Sequence, residues 1–365
     1  MRLALIIEQA LAPVPGGTGR YSRELAAALA ERAPTGAEVT AWTSWHRDVA
    51  AARVPGVRGP RRFPLPRRAL VAAWEAGTGP VPVRADVVHA PTPLAPRRGD
   101  RPLVATVHDV VPWTHPETLT PRGVRWHRRM VERIAATADA VVVPTSAVAE
   151  ELARHVGLAR PPVVVGEGVS ADLFPGPGAD RRAEELDLPA RPYVVTLATL
   201  EPRKGLDVLL RALAEPRLSE AELLVVGQPG WGGIDLAGQA RELGVSDRVR
   251  VLGRLPDQDL AVVLSRAALL AMPSRAEGFG LPVLEAMALG VPVVSSDVPA
   301  LAEVGGGATR LFPVDDGGAL AEAIAEVLAS GELRRSLSAA GLRRAEDFSW
   351  GSAADQLWRL YATLG

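Results

Sequence analysis

The chain has 365 residues, 47% of them hydrophobic, with 41 Lys and Arg against 42 Asp and Glu; that is enough length and apolar content for two domain cores. It has no cysteine, which excludes disulfides, thiolate nucleophiles and thiolate metal sites. No run of about twenty apolar residues occurs, so no membrane-spanning helix is expected, and no nucleic-acid partner is expected either.

The first segment, Met1-Arg2-Leu3-Ala4-Leu5-Ile6-Ile7-Glu8, reaches an acid too soon for a secretory apolar region and reads as a buried strand, so a cytoplasmic protein is expected. Further strands are expected at Val39–Trp42, Asp86–Ala90, Leu103–Val107, Ala140–Pro144 and Val163–Val165. Amphipathic helices alternate with them at Arg20–Ala33, Arg122–Thr137 and Ser146–His155, with Ser146 as the expected N-cap. The segment Phe174-Pro175-Gly176-Pro177-Gly178 is the best linker candidate. After it the pattern restarts, with strands expected at Tyr193–Leu197, Leu223–Val226, Val249–Leu252, Leu269–Met272 and Val291–Ser295. Helices are expected from Leu206, at Leu281–Leu289, twice within 317–345, and at Ser352–Leu364. Alternating strands and helices make the fold α/β, with two tandem Rossmann-like, doubly wound domains and a cleft expected between the carboxyl ends of their sheets. The expected division is 1–170, a linker at 171–190, a second domain at 191–346 and a terminal segment at 347–365.

Charge is unevenly spread. Residues 1–170 hold 22 Arg against 15 acids, and the remainder holds 19 Lys and Arg against 27 acids. Arg122, Arg125, Arg129 and Arg133 fall at helical spacing, with Arg128 beside them and Trp126 and Met130 nearby. Arg61-Arg62 and Arg67-Arg68 flank Phe63-Pro64-Leu65-Pro66 in an expected loop. Cations beside exposed apolar groups suit an anionic membrane surface; the alternative is a solvated arginine face. The chain has one lysine, Lys204, and no asparagine. A lysine that persists where arginine has otherwise replaced it points to a need for a compact ammonium.

The densest chemical signal is Pro273-Ser274-Arg275-Ala276-Glu277-Gly278-Phe279-Gly280-Leu281-Pro282-Val283-Leu284-Glu285-Ala286. It follows a strand and opens a helix, so its glycines permit close backbone approach and its amides form an anion site. Glu277 and Glu285 flank the turn; a carboxylate beside a phosphate site would repel it, so hydrogen bonding to sugar hydroxyls is the expected use. Glu201-Pro202-Arg203-Lys204-Gly205 supplies two adjacent cations at another strand-to-helix turn, suited to a diphosphate. His108-Asp109 follows the expected strand 103–107. Gly17-Thr18-Gly19 is half of a dinucleotide fingerprint, but Ser22 stands where the final glycine belongs. No Asp-x-Asp ends a strand, no histidine cluster has metal spacing, and Asp315-Asp316 reads as a solvated turn, so neither metal nor other cofactor is expected.

These segments resemble glycosyltransferase family 4 of the GT-B fold. The resemblance rests on the glutamates of 277–285, the Arg-Lys pair of 201–205, Gly16-Gly17-Thr18-Gly19, Val107-His108-Asp109, and Phe348-Ser349-Trp350 before the last helix. It implies a retaining hexosyltransferase, with donor on the second domain, acceptor on the first and the last helix crossing back onto the first. It implies that Arg203 and Lys204 hold the diphosphate, with Gly278, Phe279, Gly280 and Leu281 on phosphate and sugar oxygens. Glu285 would take the ribose, Glu277 the transferred sugar, and Leu255 the base; Gly17 would approach the donor phosphates or the acceptor. His108 would lie by the reacting carbon, with Asp109 fixing its turn; the alternative is a satisfied strand-end histidine. The stretch His108–Glu117 resembles members using GDP-mannose on polysaccharide or lipid-linked acceptors. Where many members carry Asn-Gly-Val-Asp, this chain has Glu167-Gly168-Val169-Ser170, and no role transfers to Glu167. Rival readings are a sugar-nucleotide epimerase of the same fold and a catalytically silent sugar-nucleotide-binding protein.

Overall fold

The computed structural model describes residues 1–365. They form two units, the first made of Met1–Pro116, Thr120–Gly168 and Phe348–Gly365, the second of Glu117–Leu119 and Val169–Asp347.

The first unit holds seven parallel strands: β1 (Arg2–Ile6), β2 (Glu38–Trp45), β3 (Arg58–Pro66), β4 (Val87–Ala90), β5 (Leu103–Thr106), β6 (Ala140–Val143) and β7 (Val163–Val164), in the order β3-β2-β1-β4-β5-β6-β7. The central strands β4, β5 and β6 are buried at every residue, as a parallel sheet covered on both faces requires. The helix Gly16–Glu31 buries Tyr21, Ser22, Leu25, Ala26, Ala28 and Leu29, a single stripe at helical spacing. The terminal helix Trp350–Leu364 packs along it. There Trp358 donates its indole N–H to the Leu29 carbonyl at 3.0 Å, and Arg32 pairs with Asp355. Ser349 caps this helix by accepting from the Ser352 amide.

Three expectations change in this unit. The segment expected as a loop around Phe63 is the edge strand β3. Its prolines 60, 64 and 66 offer no N–H, and Arg58, Arg61 and Arg62 are exposed, which together block pairing with another chain. Phe63 is buried between Trp42 and Trp74. The arginine face on the helix Pro121–Thr137 also lacks the exposed apolar partners expected of it. Met130 is buried, Arg128 donates to the Pro112 carbonyl, Arg133 donates to the Ala95 carbonyl, and Arg129 pairs with Glu75. Arg122 and Arg125 are exposed. Thr145, not Ser146, caps the helix Ser146–His155, its hydroxyl accepting from the Val148 amide.

The second unit holds six parallel strands: β8 (Tyr193–Leu197), β9 (Glu222–Val226), β10 (Val249–Gly253), β11 (Leu269–Met272), β12 (Val293–Ser296) and β13 (Arg310–Phe312), in the order β10-β9-β8-β11-β12-β13. Its core joins β8, β9 and β11 to the helices Leu206–Leu213 and Gly317–Ala329. Residues 171–190, expected as a linker, carry a helix at Ala179–Glu185 packed on the helix Asp257–Ser265. Asp316 caps the helix Gly317–Ala329, and Asp315 accepts from Arg275 at 2.6 Å while half-exposed. These two acids are therefore engaged rather than merely solvated.

In both sheets the strand order reverses beside the first strand, between β1 and β4 and between β8 and β11. Doubly wound sheets bind ligands outside the carboxyl ends of the strands at such a reversal. The turn carrying Arg203 and Lys204 follows β8, and the loop carrying Glu277 follows β11.

Candidate functional site

The chain leaves β8 and makes a short 3-10 turn at Pro202–Lys204 before the helix Leu206–Leu213. Gly205 joins the two with φ +64°. A Cβ there would stand 2.0 Å from the Pro273 carbonyl oxygen, so only glycine lets the turn lie directly on the loop that follows β11.

Backbone and side chains then fasten the two segments. The Arg275 amide donates to the Arg203 carbonyl at 2.8 Å, and the Arg203 guanidinium donates to the Ala276 carbonyl at 2.7 Å. Arg275 donates to the Pro202 carbonyl at 2.6 Å and grips both carboxylate oxygens of Asp207 at 3.0 and 2.8 Å. The fork of an arginine suits such a two-point contact, which a lysine would not make. Arg275 lies inside the densest motif, but nothing in the sequence pattern marks it as the residue that ties the two turns together.

At the centre of this clasp, Lys204 Nζ is 2.6 Å from Glu277 Oε1, and Arg203 Nη1 is 3.2 Å from Glu277 Oε2. The Ser274 hydroxyl donates to Glu277 Oε1 at 2.7 Å. All three charged side chains are largely buried, at 14%, 17% and 9% exposure for Lys204, Arg203 and Glu277. Burial alone would favour the neutral acid at Glu277. The charges of Lys204 and Arg203, with hydrogen bonds from Lys204 and Ser274, outweigh it and hold the carboxyl down to about 2. Lys204 lies below the ordinary lysine value, because burial and the neighbouring Arg203 charge outweigh the help of Glu277 and Glu201. Both buried cations thus meet on Glu277, and Glu201 stands 3.9 Å from Arg203 on its other side.

Gly278, Phe279 and Gly280 continue the loop, all buried. Gly280 turns it at φ +92° into the helix Leu281–Ala288, which starts with Leu281 and Pro282. Glu285 is buried on that helix. Leu255, half-buried, follows β10 at the carboxyl end of the same sheet. The second unit therefore brings Arg203, Lys204 and Glu277 into direct contact and sets 278–281 and Glu285 on the same loop and helix.

Gly17, His108 and Asp109 lie in the first unit. Gly17 is exposed in the first turn of the helix Gly16–Glu31. His108 follows β5; its Nε2 is 2.8 Å from the Pro91 carbonyl oxygen, and its Nδ1 is 3.6 Å from Glu167 Oε1. Asp109 accepts from the Val111 amide at 3.1 Å, which fixes the turn. Burial opposes a charge on His108, but Glu167, the Pro91 carbonyl and Asp109 outweigh it and raise its pKa above the ordinary value. Glu167 carries no role that the sequence pattern assigns. The one signal was its replacement of the asparagine common in the resembled pattern. No group of three or more His, Asp or Glu side chains is arranged to hold a metal ion, and no helix is long and apolar enough to cross a membrane.

Residues 15–173 match the family described as Glycosyltransferase Family 4, and residues 180–344 match Glycosyl transferases group 1. The chain is 31% identical to O-antigen chain mannosyltransferase B of Escherichia coli, over 76% of this chain and 74% of that protein. It is 33% identical to D-inositol 3-phosphate glycosyltransferase of Saccharomonospora viridis, over 95% and 89% of the two chains. It is 30% identical to MMP alpha-(1->4)-mannosyltransferase of Mycolicibacterium hassiacum, over 99% and 98%. Among solved structures, sucrose-phosphate synthase from Thermosynechococcus elongatus superposes with a TM-score of 0.78 at 27% identity, covering 100% of this chain and 99% of that one. Anabaena HepE in complex with UDP and glucose shares the fold, with a TM-score of 0.77 at 22% identity over the whole of both chains.

Proposed function

This chain belongs to the family 4 glycosyltransferases of the GT-B fold and is a glycosyltransferase; from that premise we propose that it transfers a hexose, mannose in preference, from a nucleoside-diphosphate sugar with retention of configuration and without a metal ion. The observation that carries the proposal is the Arg203–Lys204–Glu277 cluster at the strand reversal of the second sheet. Two adjacent buried cations at one turn suit a diphosphate, whose charge grows as it leaves. In this reading the diphosphate takes the cations over from Glu277, and the freed Glu277 turns to the hydroxyls of the sugar. The loop 278–281 contributes at the helix N-terminus, Glu285 meets the ribose, and Leu255 meets the base. Gly17 approaches the donor phosphates or the acceptor, and His108, its turn fixed by Asp109, meets the sugar near the reacting carbon.

The bond from the anomeric carbon to the diphosphate oxygen breaks, and its electron pair leaves on the diphosphate. The acceptor oxygen bonds to that carbon on the same face, and its proton passes to the departing phosphate. The two cations supply the stabilisation that a divalent metal gives elsewhere. Mannose is proposed from the stretch His108–Glu117 and from the relatives named mannosyltransferases, with GDP as the carrier this implies, while further relatives are named D-inositol 3-phosphate glycosyltransferases. The UDP bound to HepE makes a UDP-sugar the donor to compare it with. The acceptor is a polysaccharide, a lipid-linked sugar or a small molecule, since the relatives span both polymer and inositol-phosphate names.

A thermal-shift panel of sugar nucleotides, followed by transfer assays with the best donor, tests this. At about a hundred times its dissociation constant, a donor adds about 2.7 kcal/mol. GDP-mannose is expected to raise the melting temperature most. A panel in which no sugar nucleotide stabilises the protein would overturn the reading.

A further inference from the structure

The first unit contains a buried carboxylate, Glu167, to which the donor site as read above gives no part. Glu167 is 4% exposed, and its side chain faces His108, whose own side chain is 12% exposed. A carboxylate at that depth is costly unless it is paired. The Pro91 carbonyl can only accept, so His108 Nε2, at 2.8 Å from it, carries a hydrogen. On a neutral ring Nδ1 would then present its lone pair to Glu167 Oε1 at 3.6 Å, setting two acceptors against each other. Adding a proton at Nδ1 turns that repulsion into an ion pair.

The surroundings hold both partners in place. The Tyr21 ring meets the His108 ring edge-on at 4.5 Å, and its hydroxyl contacts Thr106 Oγ1 at 3.3 Å. Thr106 Oγ1 also contacts His89 Nε2 at 2.9 Å, and His89 Nδ1 contacts the Tyr361 hydroxyl at 2.6 Å. Burial, and secondarily the charge of His108, push His89 down to about 3, so this second imidazole is neutral. Burial, together with the nearby Glu167 charge, raises Tyr21 well above its ordinary range, so its hydroxyl stays protonated. Asp109, on the same turn as His108, has its carboxylate on the Val111 amide. A Cβ on Gly168 would stand 2.3 Å from the Trp350 amide nitrogen. The backbone beside Glu167 is therefore pressed against the start of the terminal helix.

We propose that Glu167 is a positioning residue for the transfer reaction, holding the His108 ring as an imidazolium between its own carboxylate and the Pro91 carbonyl, and thereby fixing the turn that ends β5. The proposal rests on the glycosyl-transfer reading above. With both ring nitrogens protonated, His108 takes no proton from the acceptor; its contribution is a fixed ring and a fixed turn beside the sugar.

The test separates the pair from the reaction. Nitrogen-15 NMR of the ligand-free protein follows the His108 ring against pH in wild type and Glu167→Gln, with His108→Gln identifying the signal. A raised pKa keeps the charged ring at low pH and loses it as pH rises through the folded value. The wild-type ring is therefore expected to stay doubly protonated above about 6.5, and the Glu167→Gln ring to lose its proton at least about one pH unit lower. In transfer assays Glu167→Gln is expected to lower kcat by about 10- to 100-fold, the size of effect that small misplacements cause. The donor KM should stay as it was, and the alkaline fall of kcat should move to lower pH. Glu167→Asp, which keeps the charge and retracts it by one methylene, should recover part of the rate. Identical His108 titration in wild type and Glu167→Gln overturns the proposal, as does an unchanged pH profile of kcat. If wild type turns over no sugar nucleotide, the transfer reading fails and Glu167 positions nothing for it, while the NMR titration still decides whether the ion pair exists.

Discussion

Replacing Glu277 with glutamine removes the carboxylate from a cluster that keeps two buried cations. The wild-type carboxyl is held at about 2 against an ordinary 4.5. At 1.36 kcal/mol per pH unit, that difference favours the charged form in the folded protein by about 3 kcal/mol, an upper figure for what the variant loses at neutral pH. The sign is fixed by linkage. A lowered folded value gives stability that is complete above about 4.5 and fades as pH falls toward about 2. Urea unfolding at pH 7, 5, 4 and 3 should show Glu277→Gln less stable by about 2–3 kcal/mol at the first two. The gap should shrink at the last two, as Glu277 of the unfolded chain takes up a proton that the folded carboxylate, held at about 2, does not. The same variant frees Lys204 and Arg203 from their internal anion, so GDP should bind it more tightly than wild type, while transfer falls because the sugar loses its carboxylate. Equal stability at pH 7, or a gap that widens on acidification, would refute the reasoning.

Gly205→Ala must place a β-carbon 2.0 Å from the Pro273 carbonyl at φ +64°, so it should destabilise the protein by at least about 2 kcal/mol in thermal melts and weaken donor binding. Survival of both would mean that the two loops need not touch. Transfer should continue in EDTA, because the two cations neutralise the leaving diphosphate; abolition by EDTA with rescue by Mg²⁺ would overturn the metal-free mechanism. Arg122 and Arg125 are exposed, while Phe63 and Met130 are buried, so binding to vesicles rich in anionic lipid should be weak and lost in high salt. Co-sedimentation that survives high salt would point to apolar insertion instead.

The inner strands were readable because β4, β5, β6, β8 and β11 are short apolar runs buried on both faces. β3 was not, because Arg58-Gly-Pro-Arg-Arg-Phe-Pro-Leu-Pro carries the charges and prolines of a protected edge, which look like a loop in one dimension. β13, at three residues, is too short to show a period. The cap of the helix Ser146–His155 moved by one residue because Thr145 and Ser146 both carry suitable hydroxyls. At the site, Arg203 and Lys204 stood out by composition, but the seat of Glu277 did not. A carboxylate repels a neighbouring phosphate, which argues against a seat beside Arg203 and Lys204, yet Glu277 sits directly on both cations. Glu167 is visible as a departure from the resembled pattern, but its role is not legible in one dimension, because its partner lies 59 positions earlier and only folding brings the two together.

The central claim is that Arg203 and Lys204 hold the diphosphate of the donor. Calorimetric titration of GDP-mannose into wild type and Lys204→Ala, in buffer containing EDTA, tests it most directly. The stability cost of Lys204→Ala is limited, because Glu277 keeps Arg203 at 3.2 Å and Ser274 at 2.7 Å. The account predicts metal-free binding to wild type and affinity at least about tenfold weaker in the variant, the equivalent of about 1.4 kcal/mol. Equal affinity of the two proteins for GDP-mannose would contradict it.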